Sequence, residues 1–254
     1  MNTLDLLAWG VLPYLVALTL IAGLIWRYRY DQFGWTTRSS QLYESKLLRI
    51  ASPMFHYGLF VVLAGHLMGL LIPKAWTDLV VTQETYHLVA LVAGTLAGAA
   101  TLAGIALLIY RRRTTGPVFL ATTRNDKLMY AVLTAAILLG LLATLTGGHY
   151  SDGTEHNYRE TVSIWFRSLL AFQPDVAAMA ASTWQFKVHI LIGLALFALV
   201  PFSRLVHAFT VPLHYLFRPY VVYRSRDAAP PTPSRGRVRG WDPVGTQDRE
   251  RRNR

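Results

Sequence analysis

The chain has 254 residues, of which 53% are hydrophobic and only 15% charged, with 25 lysines and arginines against 14 acidic residues. Soluble domains carry about 25% charged residues, so this composition points to lipid rather than water as the main solvent. There is no cysteine, which excludes disulfides, thiolate-bound zinc, protein-ligated iron–sulfur clusters and the attachment of a c-type haem.

Five apolar stretches approach the roughly 20 residues a helix needs to cross a bilayer. They cover 4–26, 51–72, 86–110, 128–147 and 187–207. Their formal charges are Asp5, Lys187 and Arg204, all near the ends, where basic side chains snorkel to the headgroups. The first stretch does not read as a cleavable signal peptide, because Arg27, Arg29 and Arg38 follow it rather than precede it. The first and third loops and the region from Arg204 onward hold 21 of the 25 basic residues. The positive-inside rule then puts the N-terminus outside and the C-terminus in the cytoplasm. The expected fold is all-α, an integral membrane five-helix bundle of the cytoplasmic membrane. Its basic character is assigned to topology and contact with lipid, not to nucleic acid.

Between the fourth and fifth spans, Val162, Trp165, Phe166, Leu169 and Leu170 recur at helical spacing, as in an interfacial helix lying along the membrane surface. Residues 1–226 are expected to form the membrane domain and 227–254 a basic cytoplasmic tail. That tail is rich in proline, arginine and glycine and is expected to stay disordered until it meets a partner or anionic lipid. Phe209, Leu213, Leu216 and Phe217 form a stripe suited either to a partner or to the interface.

Ionisable residues within membrane spans mark function by default, and here they are histidines. His56 and His66 lie in the second span, His189 and His207 in the fifth. One histidine alone is explained by a hydrogen bond to a neighbouring carbonyl. Two on each of two antiparallel helices match what two b haems require, one neutral imidazole from each helix per iron. Depth pairs His56 with His207 on the cytoplasmic side and His66 with His189 on the outer side. In ideal helices the separations are ~15 Å and ~27 Å, and His56 and His66 stand roughly 80° apart, whereas His189 and His207 share a face. Tilt or a kink at Pro201 would have to absorb that mismatch. Gly58, Gly65, Gly69 and Gly193 suit either a porphyrin lying against the backbone or helix packing, since Gly65 and Gly69 form a GxxxG, as do Gly94 and Gly98. Arg204 suits a haem propionate or a headgroup anchor.

The words Arg27-Tyr-Arg-Tyr-Asp-Gln-Phe-Gly-Trp, Ser39-Ser-Gln, Phe55-His56, Gly65-His66, Pro201-Phe-Ser-Arg-Leu-Val-His207 and Val211-Pro212 resemble the gamma subunit of respiratory nitrate reductase, from the first span to about Arg226. The resemblance implies a di-haem cytochrome b that oxidises menaquinol or ubiquinol. It also implies an iron–sulfur (beta) partner and a molybdenum (alpha) partner that reduces nitrate in the cytoplasm. By resemblance, His56 and His207 match the ligands of the cytoplasm-proximal haem, and His66 and His189 those of the distal one. Members of that family can carry a lysine at the start of the third span, near the quinol. This chain has Tyr86 and His87 there. Either can hydrogen-bond a quinol oxygen, and a neutral His87 can take up a proton; Gly69 is a further candidate for the contact. Both Tyr86 and His87 also suit ordinary interfacial positions. His149, His156 and His214 read as solvated or interfacial. The rival readings are a cytochrome b anchor for formate dehydrogenase or hydrogenase, and a haem-free transporter or structural anchor.

Overall fold

The structure is a computed structural model and describes residues 2–31 and 40–209. Six helices organise these residues: α1 (Thr3–Tyr30), α2 (Lys46–Leu71), α3 (Gln83–Thr114), α4 (Arg124–Thr146), α5 (Val162–Leu170) and α6 (Trp184–Phe202). All but α5 are long and apolar enough to cross a bilayer. Only 17–28% of the most apolar stretch of each is buried, so leucines such as Leu18 and Leu96 face outward, as they would toward lipid. The tail from 227, the boundary at 226, His214 and most of the 209–226 stripe lie outside the described residues.

The sequence also sets where each helix starts. Thr82 caps α3 by accepting from the Thr85 amide. Thr123 and Asp126 cap α4 reciprocally, each side chain bonding the other's backbone.

Small residues then set the packing, since lipid gives helices no hydrophobic reason to associate and close backbone approach must do it. α2 packs on α3 where Gly58 faces Thr101 and Gly104 faces the backbone of Phe55. α3 packs on α4 through Gly98 against Leu141 and Gly94 against Thr144. α4 then packs on α6, and α6 on α1, where Gly23 meets Pro201. α2 and α6, which carry the expected histidines, are not among these closely packed pairs.

Two expectations need correction. The segment Val162–Leu170 does not simply lie on a membrane surface. Its Val162, Ser163 and Trp165 are buried, and Trp165 meets Trp9 edge-on at 6.1 Å in a small core with Val176 and Met179. The cause is the end of α2, whose last carbonyls lack intrahelical donors. Ser163 Oγ donates to the Gly69 carbonyl at 2.6 Å, Arg167 to Leu70 at 3.1 Å and Arg159 to Ile72 at 2.8 Å. Two cations at a helix C-terminus also suit its dipole. α5 and the loop before it therefore form a cap over one end of the bundle.

The second concerns the fifth span: the kink that the sequence allows at Pro201 is a full break, so the span is not one straight helix to His207. α6 is regular to Leu199, tightens over Val200–Phe202, extends at Ser203 and restarts as a tight helical segment, Arg204–Phe209. Pro201 has no N–H to continue the ladder, and with Ser203 extended the carbonyls of Pro201 and Phe202 bond to other elements. Arg27 Nε donates to Pro201 O at 2.7 Å, and Asn125 Nδ2 donates to Phe202 O.

Candidate functional site

The four span histidines stand in two pairs, His207 being carried by the segment beyond the break in α6. The ring centroids of His56 and His207 lie 6.2 Å apart, and those of His66 and His189 lie 6.0 Å apart. If a metal–imidazole bond is about 2.0–2.1 Å, as for zinc, and a ring centre lies roughly 1.1 Å behind its nitrogen, two imidazoles on one metal have centroids at most about 6.3 Å apart.

The hydrogen bonds also suit ligation. Nδ1–H of His56 donates to Ser52 O at 2.7 Å, that of His66 to Val62 O at 2.8 Å and that of His207 to Arg204 O at 2.5 Å. A carbonyl can only accept, so these bonds assign the tautomer and place the lone pair on Nε2. A donated Nδ1–H of this kind usually orients a metal-bound histidine. His189 Nδ1 is buried without a hydrogen-bond partner, although the Ala136 carbonyl is within electrostatic reach.

The surroundings fit a flat, self-ligated metal group. Among the described residues, no cluster of three or more His, Asp or Glu could hold a bare ion. A Cβ added at Gly65 or Gly193, beside His66 and one turn after His189, would meet nothing within 4 Å. Gly140 of α4 makes room for His189 itself, since a Cβ there would lie 2.8 Å from the ring's Cε1. The residues present fit haem, which His56 with His207 and His66 with His189 would hold.

The remaining candidates divide. Arg204 is ion-paired with Asp126 of α4, Nε to Oδ1 at 2.6 Å and Nη2 to Oδ2 at 3.1 Å. Gly69 is covered: a Cβ there would lie 2.6 Å from Tyr158 Oη. Tyr86 is half-buried, with the Arg159 guanidinium 4.3 Å above its ring and Tyr158 Oη 3.4 Å from its own. His87 is exposed. Sequence reasoning passed over Tyr158, Arg159 and Asp126 as loop residues, and Gly140 as an ordinary span residue.

A profile of the nitrate reductase gamma subunit family matches residues 5–226. The chain belongs to this family. It is 43% identical to the nitrate reductase gamma chain of Bacillus subtilis over 219 residues, 86% of this chain and 97% of that one. Identity to the respiratory nitrate reductase 1 gamma chain of Escherichia coli is 32% over 231 residues, 89% of this chain and 100% of that one. The nitrate reductase-like protein NarX of Mycobacterium tuberculosis is 58% identical over 236 residues. That match takes in 92% of this chain but 36% of NarX, so the chain spans about a third of that relative's length.

One histidine of this gamma-family chain departs from expectation. His156 is not solvated: it is buried, donates from Nδ1 to Gly147 O at 2.9 Å and accepts at Nε2 from Thr161 Oγ1 at 2.9 Å. Burial holds its pKa below the ordinary histidine value, opposed by the Gly147 carbonyl and reinforced by the Lys187 charge. The unfolded imidazole takes a proton near pH ~6.5, the folded one only lower. The stabilisation from neutral His156 is therefore complete above that pH and is lost as pH falls toward the folded value. Between about pH 7 and about pH 5 the melting temperature in detergent should fall, and the fall should be smaller in His156→Gln. Equal slopes would show that His156 does not carry this dependence.

Proposed function

We propose that this chain is the quinol-oxidising, di-haem cytochrome b subunit of a membrane-bound nitrate reductase in the cytoplasmic membrane. The observation that carries the reading is the pair of imidazole clamps, each spaced for one metal, between two helices that leave room for a planar group. Bound there, two b haems supply one-electron redox centres at two depths. The four histidines would bind and orient them, His56, His66 and His207 through Nε2, with the carbonyls of Ser52, Val62 and Arg204 holding those three Nδ1 protons.

The cap end is outside and the arginine-rich end faces the cytoplasm, by the positive-inside rule. Menaquinol or ubiquinol is oxidised under the cap near His66 and His189. There Tyr86, pressed between Arg159 and Tyr158, offers a hydroxyl to a quinol oxygen, and His87 or water takes the proton outward. The iron–sulfur (beta) subunit docks at the cytoplasmic end and leads to the molybdenum (alpha) subunit. Residues 1–226 are the membrane domain, and 227–254 the tail on the same side as these partners.

Electrons taken from quinol outside and delivered inside move charge against a membrane potential, at a cost of about 2.3 kcal/mol per electron for each 100 mV. Quinol-driven nitrate reduction by the assembled complex in sealed, right-side-out vesicles should therefore acidify the outer medium and speed up on adding an uncoupler. Alkalinisation outside, or no change, would place quinol oxidation on the inner side and overturn this arrangement.

A further inference from the structure

The segment that carries His207 is cut off from the regular part of α6 by Pro201 and the extended Ser203. Its position is consequently set by contacts from other helices. The buried carboxylate of Asp126, near the start of α4, grips Arg204 through two hydrogen bonds. The main-chain carbonyl of Arg204 in turn accepts the Nδ1–H of His207 at 2.5 Å. Asp126 is itself held by the helix start, its Oδ2 accepting from the Thr123 amide at 2.9 Å. One carboxylate thus links the N-terminus of α4 to the imidazole opposite His56.

We infer that Asp126 is a positioning residue for the His56–His207 haem: through Arg204 it sets the orientation and the electron-donating strength of the His207 imidazole. The inference rests on the di-haem reading above. A hydrogen bond accepted from Nδ1–H makes a ligating imidazole more basic and favours the oxidised, more positive metal. Removing the carboxylate loosens the Arg204 carbonyl and so weakens that bond. It also removes one negative charge from beside the Arg204 guanidinium in a medium of low dielectric. Both effects favour the reduced state, so they raise the midpoint potential together. The His66–His189 pair sits ten residues further along α2, on the other side of the break in α6, and shares none of these contacts.

The test is a redox titration with low-temperature electron paramagnetic resonance on the purified full-length protein, comparing wild type with Asp126→Asn, Asp126→Glu and Thr123→Ala. In Asp126→Asn both haems should remain, with one midpoint potential shifted upward, that haem's low-spin signal displaced, and the other haem unmoved. Asp126→Glu, which keeps the charge, should return both readouts toward wild type. Thr123→Ala weakens the α4 cap while keeping the carboxylate, and should leave both potentials in place. If Asp126→Asn does not fold, Arg204→Lys should displace the same single signal with a smaller potential shift. Potentials and signals unchanged in Asp126→Asn, or in Arg204→Lys where it stands in, would overturn the inference alone, as would an equal shift in Thr123→Ala. A wild-type protein without two b haems would overturn the di-haem reading and the inference with it.

Discussion

Replacing His189 with alanine is expected to lower the haem content from two b haems per chain to one, with the His56–His207 haem retained. Each clamp consists of two imidazoles, and the chain has no cysteine to substitute. His66 left alone offers one ligand; Met68 has a thioether that can bind haem iron, but two residues on it points to the other side of the helix. Gly140→Ala should reproduce much of this loss without touching a ligand, because the new methyl would lie 2.8 Å from His189 Cε1 and push the ring off its site. Pyridine haemochromogen content per chain, with reduced-minus-oxidised spectra, measures both. Two haems surviving His189→Ala would refute the assignment of that pair.

The spans were readable because crossing a bilayer demands only about 20 apolar residues in a row, a local property of composition. The pairing by depth was readable for a similar reason: antiparallel helices of known length put His56 level with His207 and His66 level with His189. Rotation was not readable. Wheel arithmetic assumes one continuous helix, and the break at Pro201 and Ser203 invalidates it for His207.

The use of each charge was also hidden. Counting arginines gives the sign of a loop but not its contacts. Arg111 is buried, paired with Glu44 at 2.5 Å and donating to Ser40, and Arg112 is buried against Tyr130 and Thr122. These two hold loops together at the basic end, so less of that surface is free for a partner than the loop composition implies. Asp126 and Gly140 gave no signal because each acts on a residue far along the chain, Arg204 and His189 respectively. A glycine in an apolar run looks the same whether it faces lipid or a ligand.

Gly104 carries the largest expected effect on the bundle itself. It lies where α3 crosses α2, and a Cβ there would sit 2.6 Å from the Phe55 backbone nitrogen and 2.7 Å from its Cα. A flexible side chain can swing away from such a contact; helix backbone cannot, so the two helices must separate. Overpacking a core typically costs ~1–3 kcal/mol, and Gly104→Ala should reach the upper part of that range, with Gly104→Leu beyond it. The effect should also be directional. His56 follows Phe55 directly, so displacing that turn of α2 moves the His56 ligand before it moves His66, ten residues further along. Gly104→Ala should therefore lower the melting temperature and lose the His56–His207 haem preferentially. Gly116→Ala, at a site with nothing within 4 Å of the added methyl, should do neither. Thermal denaturation in detergent and haem content of the two variants, measured side by side, check the prediction. If Gly104→Ala matched Gly116→Ala in both readouts, α2 and α3 would not approach as closely as the structure has them, and the position of His56 would have to be reconsidered with them.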